Sequence, residues 1–304
     1  MPSREQDSGE SAGPLHRPVL LREVLRYLDV QPGMTVVDGT VGAGGHSKEI
    51  LKLISPTGRL IGLDRDSMML GFASQSLDAA HCSLHQTSYV ELPKILETLE
   101  LPSVDRVLLD LGLSSDQLAD DDRGFGFEAK GPLDLRFDIS RGKPAWKLIE
   151  ECDEAELADI LHNWGEERFS KQIARRLTEQ RKTAPVRTPD DLVQAVGEAV
   201  PGSFRSRARK HPATRVFQAL RIAVNNELQH LEEFLQNGLR SSLSPGGKAV
   251  VISFHSLEDR LVKNAFRDVK RWKNLTTKPV TASAVEQKVN PRSRAAKLRA
   301  AIRL

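Results

Sequence analysis

The apolar positions of this chain form short compact runs that alternate with stretches of helical spacing. Val19, Leu20, Val24, Leu25 and Leu28 recur at helical intervals and predict a helix over 18–28, ahead of the first strand. Strands are expected near 35–38, 59–63, 82–85 and 104–109, and helices from 46, from 67 and near 90–99. Strands alternating with helices build a parallel, doubly wound sheet, whose ligands sit at the carboxyl ends of the strands. Asp38, Asp64 and Asp110 close or follow three of these strands, so three carboxylates are expected along one sheet edge.

The pattern changes after Gly112. Residues 117–141 are rich in Gly, Asp, Arg and Phe and too polar for a core strand. Residues 146–199 then read as helices, with Leu157, Leu161, Ile173, Leu177, Leu192 and Val196 on their apolar faces. This predicts an all-helical domain over 122–222, inserted into a sheet domain made of 16–121 and 223–304. A long amphipathic helix is expected over 214–235, then a turn and strand in LSPGGKAVVISF, and terminal strands within 278–304. Residues 1–15 read as a disordered tail.

The stretch TVVDGTVGAGGHS, residues 35–47, reads as strand, glycine turn and helix start. Glycines allow positive φ and let a ligand approach bare backbone, and the helix N-terminus that follows offers unpaired N–H groups. Asp64 lies 20 residues beyond Gly44, about where an acid on the next strand grips ribose hydroxyls. A dinucleotide fingerprint would place glycine at 47, where this chain has Ser. S-adenosylmethionine, which has no pyrophosphate to cradle, fits this pattern better than NAD; a tight βα turn without a ligand fits it too.

Composition narrows the classes. The chain has 304 residues with 39% hydrophobic content, and no apolar run approaches the roughly 20 residues that span a bilayer. The N-terminus lacks the apolar stretch of a signal peptide, so a cytoplasmic protein without a membrane partner is expected. Cys82 and Cys152 are the only cysteines, so neither a disulfide framework nor a cysteine zinc site is expected, and no metal. The net charge of +3 hides an asymmetry: residues 260–304 hold thirteen Lys or Arg against two acids, and the first 259 residues carry −8. A second basic cluster comprises Arg205, Arg207, Arg209, Lys210 and Arg215. Such clusters attract polyanions, although a solvated basic face has the same composition.

Several stretches together resemble one family: HRPVLLREVL, DGTVGAGGHS, LLDLGLSSDQL, RGFGF, GPLDLRFD, GEERFSKQIAR, HPATRVFQALRIAVNNEL, PGGKAVVISFHSLEDRLVK and NPRSRAAKLR. They are similar to the bacterial ribosomal RNA small subunit methyltransferase H family, which methylates N4 of a cytidine in the decoding centre of 16S rRNA. The resemblance runs from His16 to the C-terminus. It implies a class I S-adenosylmethionine-dependent α/β fold, Rossmann-like, with an inserted helical domain. It also implies cofactor contacts at Gly44, Gly45, His46, Asp64, Tyr89, Asp110 and Gln117, and 16S rRNA of the small ribosomal subunit as partner. A homodimer is compatible with it. The chain departs from the family at Leu135 and Phe137, where Met is usual, and at Gly126, where Ser is usual.

Methylation of an exocyclic amine needs no covalent intermediate, only proximity, orientation and acceptors that hold the amine hydrogens. C5 chemistry would need a nucleophilic cysteine, usually after proline, and both cysteines lack that context; nor does the chain contain the Pro-Pro pair of DNA amino-methyltransferases. LGLSS at 111–115 takes its place, with Ser114 and Ser115 as candidate acceptors. Asp110, His211 and His255 complete the candidates for the methyl-transfer point, although His211 and His255 could equally cap helices. For RNA contact the candidates are Arg123, Phe125, Phe127, Arg215, Ser253 and Phe254, because a reacting base must be splayed out by stacking and phosphate contacts. A non-catalytic RNA-binding factor would share the basic tail but not need the glycine turn with Asp64; an oxidoreductase would share the sheet but not need the tail.

Overall fold

The computed structural model describes residues 17–205 and 211–304. The expected tail at 1–15 and the basic residues Arg207, Arg209 and Lys210 lie outside them. The first half alternates as α1 (Leu21–Leu28), β1 (Thr35–Asp38), α2 (Gly45–Ile54), β2 (Arg59–Asp64), α3 (Ser67–Ser76), β3 (Cys82–Gln86), α4 (Leu92–Thr98) and β4 (Val104–Asp110). Seven helices follow: α5 (Ser115–Ala119), α6 (Ala145–Glu151), α7 (Glu154–Gly165), α8 (Ser170–Gln180), α9 (Pro189–Ala199), α10 (Gly202–Arg205) and α11 (Thr214–Asn225). The chain then forms α12 (Glu227–Glu233), α13 (Leu239–Ser242), β5 (Leu243–Ser253), α14 (Ser256–Ala265), β6 (Trp272–Asn274), α15 (Ala284–Val289) and β7 (Lys297–Arg303).

One seven-stranded sheet has the order β3-β2-β1-β4-β5-β7-β6. The first five strands are parallel, and β7 runs antiparallel to both of its neighbours. Each central strand divides its side chains between two cores: Val36, Leu60, Leu108 and Val250 face one, Val37, Ile61, Leu109 and Val251 the other. Strands covered on both faces are apolar at successive positions, which is why they were visible as unbroken runs. Val24, Leu28, Ile50 and Ile54 of α1 and α2 close one face; Leu92, Leu96, Leu231 and Val262 of α4, α12 and α14 close the other. A third cluster, from Phe125 to Leu220, joins α6–α9 and α11 in a core of their own between β4 and β5.

Two expectations need correction. The helix expected over 214–235 breaks at Asn226, which takes a left-handed φ of 52°, so α11 and α12 are separate helices. Asn tolerates that conformation better than most residues. Within 278–304 the chain forms α15 and the single strand β7, with only an isolated bridge between Val280 and Leu298. The other late strand, β6, lies earlier, where Trp272 enters the core and the triplet gains strand geometry by pairing with β7.

Candidate functional site

The turn from β1 to α2 rests on two left-handed glycines, Gly42 at φ +51° and Gly44 at φ +87°. A Cβ on Gly44 would sit 3.1 Å from Ser76 Oγ and 3.2 Å from Leu77, and one on Gly45 would sit 3.4 Å from Pro18. The missing side chain of Gly44 therefore lets the turn nest against α3; it does not bare backbone to a ligand, which corrects the reason expected for it. The backbone that does face the cleft runs from Gly39 to Ala43.

That cleft, about 1020 Å³ including its open side, lies over the carboxyl ends of β1, β2 and β4. Of the seven residues expected at the cofactor, Gly45, His46, Asp64, Tyr89, Asp110 and Gln117 line it, and Gly44 does not. Arg65, Phe137, Glu227, His230, Glu258 and Arg292 line it as well, and none of these was singled out from the sequence for the cofactor.

Asp64 is oriented by two backbone donors, Gly42 N to Oδ2 and Asp66 N to Oδ1, both at 2.9 Å. A carboxylate oxygen has two lone pairs, so each keeps one for a ligand. Burial lifts the Asp64 pKa to about 6, against these backbone donors. Asp38 accepts from Ser47 Oγ at 2.7 Å, so the serine that replaces the third glycine ties α2 to β1. His46 is buried, with Nε2 2.9 Å from Val19 O, which assigns the proton to Nε2. Its Nδ1 faces Asp110 Oδ2 at 3.6 Å, and burial holds its pKa below 6.5.

Asp110 Oδ1 is buried without a hydrogen-bond partner. Desolvation raises its pKa to about 7; Arg292 opposes the rise and Glu258 adds to it. The unfolded chain protonates such an acid near 3.8. The native state therefore binds the proton more tightly, and Asp110 withdraws stability as pH climbs from about 4 through 7. Ligand-free Asp110→Asn is accordingly expected to melt above the parent at pH 8, by a few kcal/mol at ~1.4 kcal/mol per unit, with the gap closing toward pH 4. Thermal melts at several pH values check this, and a gap constant with pH would contradict it.

Other placements correct expectations. Gln117 is buried and spends both ends of its amide, Nε2 on Asp66 at 2.8 Å and Oε1 on the backbone N–H of Ser114 at 3.0 Å. It shapes the wall of the cleft. Ser114 caps α5 and donates to Met69 Sδ at 3.2 Å, while Ser115 is exposed and receives Arg292 Nη1 at 3.3 Å. Arg123, 5% exposed, pairs with Asp66 at 2.8 Å and donates to the carbonyls of Arg136 and Phe137, so it stands as an internal strut and not as a surface cation. Phe125 belongs to the helical core, and Ser253 is 1% exposed at the end of β5. Phe254 covers Gly112, whose added Cβ would meet its ring at 3.3 Å. His255 caps α14, accepting from Glu258 N at 3.4 Å.

His211, Phe127 and Arg215 are gathered differently. The exposed His211 stacks on Phe127 with centroids 4.7 Å apart, and its Nδ1 accepts from Ala213 N at 3.2 Å. Arg215 is exposed on α11 and donates to Glu166 O at 2.9 Å. Tyr89 lies against Phe234, centroids 5.2 Å apart, and burial drives its hydroxyl pKa far upward. Among the described residues no group of three His, Cys, Asp or Glu could hold a metal ion, and no helix is long and apolar enough to cross a membrane.

A sheet of this order, with β7 reversed between β5 and β6 and a glycine turn and acids at adjoining strand ends, defines a class I S-adenosylmethionine-dependent methyltransferase. The chain belongs to the MraW methylase family, whose profile matches residues 14–304. It is 47% identical over 289 residues to a ribosomal RNA small subunit methyltransferase H of Thermotoga neapolitana, covering 94% of this chain and 95% of that relative. Over 309 residues it is 43% identical to the protein of the same name in Trichlorobacter lovleyi, covering 95% and 98%. The crystal structure of TrmN from Thermus thermophilus is similar at a TM-score of 0.45 and 15% identity, covering 94% of this chain and 48% of that one, too slight a likeness to carry weight. The cofactor is S-adenosylmethionine, and the residues fit it: the carboxylate of Asp110 would balance the charge of a cationic ligand, and the remaining lone pairs of Asp64 would accept from ribose hydroxyls.

Proposed function

We propose that this chain methylates N4 of a decoding-centre cytidine in the 16S rRNA of the small ribosomal subunit. The relatives' shared name supports the ribosomal RNA part of that reading. The observation that carries the nitrogen target is a cleft with an acceptor and no cysteine nucleophile. Asp110 Oδ1 is buried and unbonded, and no cysteine lines the cleft. Burial pushes the Cys82 thiol up to about 11 and raises that of Cys152, the opposite of what C5 chemistry requires.

When bound, S-adenosylmethionine supplies an electrophilic methyl group on a cationic sulfur. The chain's own residues must orient the amine. The lone pair of N4 is delocalised into the ring, so an acceptor has to hold an amine hydrogen and turn that lone pair outward. Asp110 can do so and, with its pKa near 7, can take the proton released as the N–C bond forms. Asp64 and Tyr89 hold the cofactor's adenosine side, and His46 buttresses Asp110 from α2. The helices within 122–222 act as the RNA-recognition unit, with the Phe127–His211 stack and Arg215 as its contact points.

Purified protein, S-adenosylmethionine and small subunits from cells lacking the gene test the reading. Mass spectrometry of the digested 16S rRNA is expected to show N4-methylcytidine at one decoding-centre position. A methyl group on C5, or on another base, would overturn the assignment.

A further inference from the structure

The N-terminal end of the described chain meets the segment before β7 beside the cleft. Asn290 Nδ2 donates to Arg17 O at 3.0 Å, Leu20 N donates to Glu286 Oε1 at 2.7 Å, and His46 Nε2 reaches Val19 O at 2.9 Å. Residues 17–20 and 284–295 thus form a strap whose contacts span more than 260 positions of sequence. From this strap Arg292 turns inward. It lines the cleft and donates Nη2 to Leu113 O and Nη1 to Ser115 Oγ. Leu113 lies in the turn that carries the chain from Asp110 into α5, and Ser115 opens that helix. A planar guanidinium fork fixes direction as well as distance, which a lysine ammonium cannot do.

The groups facing Asp110 come from every neighbouring element: Asp38 from β1, His46 from α2, Glu258 from the start of α14 and Arg292 from the strap. Of these, only Arg292 carries a permanent positive charge, and it is more than half withdrawn from solvent, where a charge acts over longer range. We propose that Arg292 is the positioning residue of the cofactor wall: it fixes the turn over 111–115 and faces Asp110 as countercharge, so that the C-terminal strap completes the cleft. The basic tail then has an internal task beside any contact with RNA. The inference rests on the cofactor assignment and not on the identity of the RNA target.

Its test therefore reads cofactor binding alone. S-adenosylmethionine affinity of the full chain is measured by calorimetry from pH 5.5 to 9.5 for the parent, Arg292→Met, Arg292→Gln and Arg292→Lys. In the parent, affinity is expected to fall off below about pH 7 as Asp110 takes a proton. Without the arginine charge, burial and Glu258 act unopposed on Asp110, and the fall-off is expected to move up by ~1–2 pH units. Affinity at pH 7.5 then drops roughly tenfold and recovers near the alkaline end. Arg292→Lys keeps the parent's midpoint. Arg292→Gln, which retains a donor for Leu113 O, carries the test where the Met variant does not fold. An equal loss of affinity at every pH, no loss at all, or a Lys midpoint shifted as far as that of Met would overturn the proposal. None of these outcomes bears on which base is methylated.

Discussion

Asp64→Ala is expected to weaken S-adenosylmethionine binding by two to three orders of magnitude while leaving the sheet intact. Asp64 closes β2, and its two oxygens are held by Gly42 N and Asp66 N, which aim the remaining lone pairs into the cleft. Two charge-assisted hydrogen bonds to a ribose contribute ~3–5 kcal/mol together, and each ~1.4 kcal/mol is tenfold in affinity. The substitution also strips Gly42 N of its acceptor and loosens the turn that Gly42 and Gly44 define. Asp64→Asn keeps one acceptor oxygen and should fall between parent and alanine variant. Since burial lifts this acid only to about 6, it is ionised at pH 7.5, and parent affinity falls further as pH drops through 6. Calorimetry with circular dichroism as the fold control measures this, and a loss under tenfold in a folded Asp64→Ala would remove Asp64 from the cofactor site.

The reach of the sequence follows from what each feature depends on. The bounds of β1, β2 and β4 were legible to within a residue because their register of Val, Ile and Leu is imposed by burial on both faces. Asp64 and Asp110 were legible because strand ends in a doubly wound sheet fix where the next side chain emerges. Direction within a loop is not encoded this way. Arg123 and Phe125 have the residue types that RNA contacts use, yet each points inward, since the loop over 120–137 folds back on α3 and α11 through Asp66 and Asn225, and Ser253 is buried at the end of β5 beside β7. Arg292 was hidden for the opposite reason. In a run of thirteen basic residues it reads as one more solvated charge, and only the return of the chain end, 179 positions from Leu113, brings it into the cleft. The break at Asn226 matters to the site as well, because it places Glu227 and His230 on the cleft wall.

Arg123→Met is expected to destabilise the fold by ~3–5 kcal/mol, the loss that follows when one partner of a buried ion pair is removed. Asp66 is 2% exposed and takes Arg123 Nη1 and Gln117 Nε2, both at 2.8 Å, on one oxygen while its other oxygen caps α3 through Met68 N. The far side of the guanidinium holds Arg136 O at 2.7 Å and Phe137 O at 2.9 Å. One side chain thus ties α3 of the sheet layer to the loop that carries Phe137 into the cleft, so its removal strands two carbonyls and a carboxylate at once. At ~1.6 °C per kcal/mol for a chain of 304 residues, the melting temperature should fall by roughly 5–8 °C. Asp66→Asn should cost a comparable amount, and because the two sites share one interaction the double variant should lose less than the sum of the singles. Were Arg123 a phosphate contact, its replacement would instead leave the melt unchanged and lower affinity for the small subunit. Parallel melting and subunit-binding measurements on the four proteins separate the two roles. A parent-like melt with weakened subunit binding would return Arg123 to the RNA surface, whereas a lowered melt with unchanged binding by the folded fraction fixes it as the strut between the sheet and the helical layer.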